Sequence, residues 1–294
     1  MLSIDKTITA FLEDLENNKK RSWRAVRNYD LYLRRFGGWL RKNKIEQFEN
    51  ITKEDIKKYQ AWLAQNRLVH GLIKLQGKTK NNKLKSNTQN YHLIAVRALL
   101  NFLAKKKIKT LPPGEIELKA TPAARINYLQ KSDLEKLLET PIKIKQDKII
   151  QFRDKAILEL LYCSGLKVSE LASLKIADFD LKSGTIKIAG RAIKLSNMCR
   201  YWLHQYRNLC QAKTDNFFIG LDRAQQNNSN GLSVRSVERI VARYAKIVGI
   251  KTIVTPHVLR HTFARNFILS GNKLSELQKR LGYTAMSTVK RYLI

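Results

Sequence analysis

Apolar residues return every three or four positions through almost the whole chain, and that period constrains the fold more than any other feature. Ile4, Ile8, Phe11, Leu12 and Leu15 fall on one face of a helix. A second such face runs through Val26, Tyr29, Leu33, Phe36 and Leu40, after Ser22 as its cap. Thr52 followed by Asp55 resembles a capping signal for a third helix carrying Ile56, Tyr59, Trp62 and Leu63. Ser86 or Asn87 starts a fourth, with Leu93, Val96, Leu100 and Leu103 inside. These helices predict a small bundle, with Trp23, Trp39 and Trp62 read as core.

The period breaks at Pro112-Pro113, which cannot continue a helix, and again at Pro122. The 294 residues therefore divide into an N-terminal domain over 1–110, a linker over 111–127 and a second domain over 128–294. In the second domain Ser132 is read as the cap of a helix carrying Leu134, Leu137 and Leu138, and Arg153 to Tyr162 as an apolar helix. Alternation returns only in GTIKIAGRAIKLS (184–196), which predicts a β-hairpin turning near Gly190. Residues 222–231 read as a polar loop, and the remainder as helices broken at Pro256, Gly271 and Gly282. The expected class is mainly α with a small antiparallel sheet in the second domain.

Charge narrows the partners. Lys plus Arg number 56 against 24 acids, a formal net charge of +32. Self-repulsion on this scale calls for a polyanion, and nucleic acid gains by releasing counterions from each neutralised phosphate. Residues 1–110 carry 25 basic and 9 acidic side chains, and residues 111–294 carry 31 and 15, so both parts are basic. No acid stands between Asp55 and Glu115, a stretch holding Lys74, Lys78, Lys80, Lys83 and Lys85. Cys163, Cys199 and Cys210 form no CxxC pair, which points to a reducing cytoplasm and away from disulfides or zinc. No apolar run is long enough for a membrane span, and the N-terminus does not read as a signal peptide.

The chemistry is concentrated late in the chain. TPHVLRHTFA (255–264) places His257, Arg260 and His261 at i, i+3 and i+4 on one helix face after Pro256. Such a cluster can be read as a metal site, but arginine repels a cation and no third ligand stands nearby. A phosphate site suits it better, since arginine offers a fixed fork of donors and histidine a donor or proton carrier. A satisfied surface cluster is level with that reading on the triplet alone.

Further on, LGYTAMSTVKRY (281–292) ends a helix at Leu281-Gly282 and delivers Tyr292 through a short turn. With these segments, and with SGLKVSEL (164–171) preceded by RDKAILELLYC, the chain resembles the tyrosine recombinase or phage integrase family, especially its Xer-like members. That family carries TGLRxSEL, HxLRHTFA and LGHxxxxTTxxY blocks in this order. NYDLYLRRFGGWL and SNTQNYHLIAVRALLNFL resemble its four-helix, SAM-like core-binding bundle, so the likeness spans nearly the whole chain.

The resemblance implies phosphoryl transfer without metal or nucleotide cofactor. Tyr292 would attack a scissile phosphate of double-stranded DNA, form a 3′-phosphotyrosyl link and release a 5′-hydroxyl. Arg260 would stabilise the transition state with His257 beside it, while His261 orients the helix. It also implies two basic domains clamping a duplex, and a tetramer on paired sites, of this chain alone or with a related recombinase.

Three positions depart from the family pattern. Its first arginine is Lys167, a point charge without the bidentate fork. Its hairpin lysine, which protonates the leaving oxygen, is Arg191, a poor acid because it keeps its proton. Lys194, or Lys187, is the substitute. Its His or Trp is Tyr283, a hydroxyl donor or an aromatic wall. The sequence also stops two residues after Tyr292, where members continue into a helix that docks on a neighbour; the expectation is truncation or assembly through other contacts, such as the N-terminal bundle. Two other readings follow from these departures: a DNA-binding protein of recombinase descent with impaired catalysis, and a type IB-like topoisomerase.

Overall fold

The computed structural model describes residues 3–18, 21–65, 84–121, 125–180, 182–211, 213–221 and 231–293. The lysine run from Lys74 to Lys83, Pro122 and the polar stretch 222–230 lie outside them. The chain divides into two compact units, Met1–Ala123 and Ala124–Ile294.

The first unit consists of α1 (Ile4–Asn17), α2 (Trp23–Lys42), α3 (Lys53–Gln65) and α4 (Ser86–Lys105). Local chemistry sets their starts. Ser22 Oγ accepts from the Ala25 amide at 3.4 Å. At α3, Thr52 Oγ1 accepts from the Asp55 amide at 3.2 Å while the Asp55 carboxylate accepts from the Thr52 amide at 3.0 Å, a reciprocal capping box. The core joins Ile8 and Phe11, Leu33 and Phe36, Tyr59 and Leu63, and Leu93 through Leu103. Trp39 is buried in it and Trp62 packs against it. Trp23 corrects the expectation: it is 66% exposed, because it opens α2 at the helix end and its ring carries the Arg27 guanidinium at 5.4 Å instead of packing inward.

Part of the segment read as linker is bound into this unit. Ile116 is buried in its core, Arg97 donates to the Ile116 carbonyl, and the Lys119 amide donates to Asn90 Oδ1 at 3.0 Å. Helix α4 ends at Lys105, with Lys107 in the left-handed region, and the chain beyond the prolines remains attached to the bundle.

The second unit holds α5 (Lys131–Lys143), α6 (Lys148–Ser164), α7 (Val168–Ala172), β1 (Phe179–Asp180), β2 (Thr185–Ile188), β3 (Arg191–Lys194), α8 (Asn197–Leu209), α9 (Val234–Val248), α10 (Pro256–Leu269), α11 (Leu274–Leu281) and α12 (Met286–Lys290). Helix α5 begins at Lys131 with Gln130 before it, so Ser132 lies inside the first turn and is not the cap. The sheet is antiparallel in the order β1-β2-β3, one strand more than the expected hairpin. Ala189 and Gly190 turn β2 into β3 with φ of 46° and 73°, the paired positive values of a tight hairpin turn.

Register decides which hairpin side chains face inward. Ile186 pairs with Ile193 and Ile188 with Arg191, on the buried face; Lys187 pairs with Ala192 and Thr185 with Lys194, on the other. Arg191 and Lys194, three residues apart, therefore point to opposite faces. A large core spans α5 to α10, and a smaller one gathers Phe263, Ala264, Leu277, Leu281, Val289 and Tyr292 around the tail.

Candidate active site

Helix α10 opens on Thr255, whose Oγ1 accepts from the Val258 amide at 3.3 Å, with Pro256 at its first position. Its segment from Val258 to Ala264 is buried, which carries Arg260 and His261 inside with the apolar residues. Arg260 is 1% exposed. Its Nη1 donates to the Gly165 carbonyl at 2.6 Å, its Nη2 to the Leu281 carbonyl at 2.8 Å and its Nε to the Tyr283 hydroxyl at 3.4 Å.

Both carbonyls belong to helix C-termini. Gly165 ends α6 and Gly282 ends α11, each in the left-handed region with φ of 63° and 66°. The partial negative charge of two helix ends thus surrounds the guanidinium. Among the described residues no carboxylate forms an ion pair with Arg260. A side chain on Gly165 would stand 2.5 Å from Phe263 and 2.7 Å from Leu281, so the close approach of α6 to α10 and α11 requires glycine there.

Tyr292 is 4% exposed, and its phenol oxygen lies 2.6 Å from His261 Nδ1. The His261 ring stands edge-on to His257, with centroids 4.4 Å apart. Burial lowers the His261 pKa to about 4, with His257, Arg291 and Arg260 adding to the effect. Burial, then Arg260 and Arg291, also lowers that of the more exposed His257. The Tyr292 phenol is pushed above its ordinary value by burial and by Tyr283, against Arg291 and Arg260. Tyr283 moves the other way: burial opposes, but the hydrogen bond and charge of Arg260, with Tyr292 and Arg291, leave it below its ordinary value. The Arg260 guanidinium also lies over the Tyr283 ring at 4.8 Å. Tyr283 thus interacts with both the guanidinium and the Tyr292 phenol.

The remaining expected residues border an open cleft of ≈ 1080 Å³, lined by Lys167, Arg191, Lys194, Arg280 and Tyr283 among others. Lys167 is exposed at the start of α7, its amide donating to Glu170 Oε2 at 2.8 Å. Arg191 is tied down: it pairs with Glu170 and donates to the Arg280 carbonyl at 2.8 Å. Lys187 and Lys194 stand free of that latch on the exposed hairpin face. Tyr283 joins the open cleft to the buried group, whereas Tyr292 opens instead on a separate ≈ 330 Å³ cavity with Arg125, Arg265 and Arg291.

The structure brings together Arg260, Tyr283, Tyr292 and His257 around α10, and Lys167, Arg191 and Lys194 around the cleft. Two members were not anticipated. His261, read as a helix-orienting residue, meets the Tyr292 oxygen, and Glu170 holds Arg191. The i, i+4 spacing of His261 to His257 and the place of Glu170 three residues after Lys167 were visible, but not the tail or strand that each would meet.

Residues 127–293 match the family described as Phage integrase family, and residues 8–107 match the phage integrase N-terminal SAM-like domain. A Tyrosine recombinase XerC of Thermodesulfovibrio yellowstonii is 31% identical over 97% of this chain and 90% of its own. A Tyrosine recombinase XerD of Proteus mirabilis is 29% identical over 98% and 88%. Among solved structures, XerH site-specific recombinase bound to difH substrate superposes with a TM-score of 0.70 at 20% identity, over 97% of this chain and 81% of that one. The Tn1549 transposon integrase in complex with transposon right end DNA gives 0.74 at 15% identity, over 99% and 94%.

Proposed function

The chain belongs to the phage integrase family, and we propose from that premise that its two site clusters act on one DNA phosphate. It is a tyrosine-type site-specific recombinase that cuts and rejoins duplex DNA. Relatives of this name over nearly the full chain favour that function over an impaired binder or a topoisomerase.

The observation that carries the site reading is a buried guanidinium with no carboxylate partner among the described residues, sharing Tyr283 with the phenol of Tyr292. A buried cation is costly unless compensated, and two helix ends supply only partial charge. An anionic phosphate supplies the rest. The Tyr292 phenol gives up its proton to solvent as its oxygen bonds to phosphorus, the bond to the 5′-oxygen breaks, and the departing oxygen takes a proton from the protein. Arg260 stabilises the charge that develops on the non-bridging oxygens, with His257 beside it and Lys167 reaching from the cleft rim. Tyr283 donates a hydrogen bond to the same group. Lys194 is the proton donor for the 5′-oxygen, because Arg191 keeps its proton and is held by Glu170. Arg191 acts as the latch that fixes β3 against α7 and α11.

Basic residues in both units hold the phosphate backbone, so affinity falls steeply with salt. The working assembly is a tetramer on paired sites, of this chain or with a related recombinase, in the cytoplasm. No helix among the described residues is long and apolar enough to cross a membrane.

The test is a covalent trap. A pool of duplexes nicked beside randomised cleavage positions is incubated with the protein, and DNA-linked protein is counted after denaturation. Adduct is expected with the native chain and none with Tyr292→Phe. Equal labelling of both would overturn the assignment of the nucleophile.

A further inference from the structure

The structure's least expected contact is the 2.6 Å hydrogen bond between His261 Nδ1 and the Tyr292 oxygen. The tail around it is built to keep it. Val289 and Tyr292 pack in the same small core as Ala264, which lies three residues on from His261 along the same helix face. The Tyr292 amide donates to the Val289 carbonyl at 3.0 Å, which ends α12 in a tight turn and fixes the direction of the ring. His261 is 6% exposed, and the His257 ring packs edge-on against it. Neither partner can swing without breaking buried contacts.

We propose that His261 is the positioning residue of the nucleophile: its Nδ1 accepts the hydrogen bond of the Tyr292 phenol and aims that oxygen. This rests on Tyr292 being the nucleophile, and it adds a group that acts through it. A phenol has one rotatable proton and two lone pairs. When the O–H is committed to Nδ1, a lone pair is left to face an incoming phosphorus.

Burial fits an acceptor better than a cation. His257, Arg260, Arg291 and the Tyr292 hydroxyl face the imidazole, and the three that carry or can carry positive charge disfavour a charged His261. A neutral ring with its proton on Nε2 presents Nδ1 as an acceptor. His257, by contrast, is more exposed and is free to meet the phosphate itself. The two histidines of one helix turn thus divide the work, one toward DNA and one toward the phenol.

Three full-length variants test this. His261→Phe keeps an aromatic ring without an acceptor. His261→Asn places an amide oxygen close to where Nδ1 stands. His261→Gln places one farther out, and replaces His261→Phe should that variant fail to fold. In the nicked-duplex trap, the His261→Phe adduct rate is expected to fall about ten- to hundredfold, the scale of a misaimed reacting group. His261→Asn should recover most of it, and His261→Gln little. Equal rates in the native chain and His261→Phe, or an Asn variant no better than Phe while both fold, would overturn the proposal.

A second readout needs no DNA. In protein labelled with ¹³C at the tyrosine Cζ, the Tyr292 resonance is identified by its loss in Tyr292→Phe. It should sit at the same shift in the native chain and in His261→Asn, and move in His261→Phe. An unmoved resonance would overturn the contact. Absence of any native adduct would instead count against Tyr292 as nucleophile, while the resonance would still decide the role of His261.

Discussion

Among the described residues of the second unit two arginines are buried, and they are held in opposite ways. Arg153, 7% exposed, pairs with Asp154 at 2.8 Å. The other Asp154 oxygen accepts from the Tyr244 hydroxyl at 2.8 Å, and Gln146 donates to that hydroxyl at 2.8 Å. Positive charge, counter-charge and remaining lone pairs are all answered within the protein. Arg260, 1% exposed, has two helix-end carbonyls and one hydroxyl but no acid among the described residues. The first arrangement is complete and belongs to the core. The second is held in place yet short of one negative charge, which is the condition of a site awaiting an anion.

The sharpest way to break this contrast is to truncate each arginine. Arg260→Ala should lower the adduct rate by at least about a hundredfold, the scale of losing a transition-state donor, while its cost in urea unfolding stays below that of Arg153→Ala. Arg153→Ala should do the reverse. It strands the buried Asp154 carboxylate and should cost about 3–5 kcal/mol in unfolding free energy, with activity per folded molecule retained. If Arg260→Ala unfolds the unit as severely as Arg153→Ala, the arginine is structural and the contrast collapses.

A smaller effect tests the cradle. Gly165→Ala puts a methyl group against Phe263 and Leu281 at a left-handed backbone position. It should destabilise by about 2–3 kcal/mol and slow adduct formation beyond what the loss of folded protein explains, since the Gly165 carbonyl that anchors Arg260 must shift. A purely proportional loss of activity would separate the cradle from catalysis.

The smallest effect extends the comparison to the first unit. His92 there is buried between Tyr32, Arg35 and Tyr59, and burial followed by Arg35 lowers its pKa to about 4, like that of His261. Both are lowered from an ordinary 6.5, so the unfolded chain binds more protons between those values. Stability is therefore full above pH 6.5 and declines toward pH 4, by at most about 1.4 kcal/mol per pH unit for each histidine. Thermal scans from pH 7.5 to 4.5 check this. His92→Phe should flatten the decline of the first unit alone, and His261→Asn that of the second.

Much of this was legible in the sequence. The four helices of the first unit follow from apolar spacing and caps such as Ser22 and Thr52, because helix formation is local and its signals sit within one turn. The motif residues were also legible, including Lys167, Arg191 and Tyr283 as departures from the family pattern. Errors came where a residue's surroundings, not its neighbours in sequence, decided the outcome. Trp23 is aromatic at a helical spacing yet exposed, and Ile116 lies past two prolines yet in the core.

The sequence alone determined the kind of chain this is: two basic, mainly helical units, with His257, Arg260 and Tyr292 in the order and spacing of one family. Those properties are written in composition and in local periods, and need no knowledge of what packs on what. Tertiary structure decided the assignments of partners. It turned Arg191 inward to Glu170 and Lys194 outward, set Arg260 against two helix-end carbonyls, and brought His261 onto the Tyr292 oxygen. Each of these joins residues about twenty or more positions apart, and a hydrogen bond between distant segments depends on register and helix approach that no short window of sequence contains.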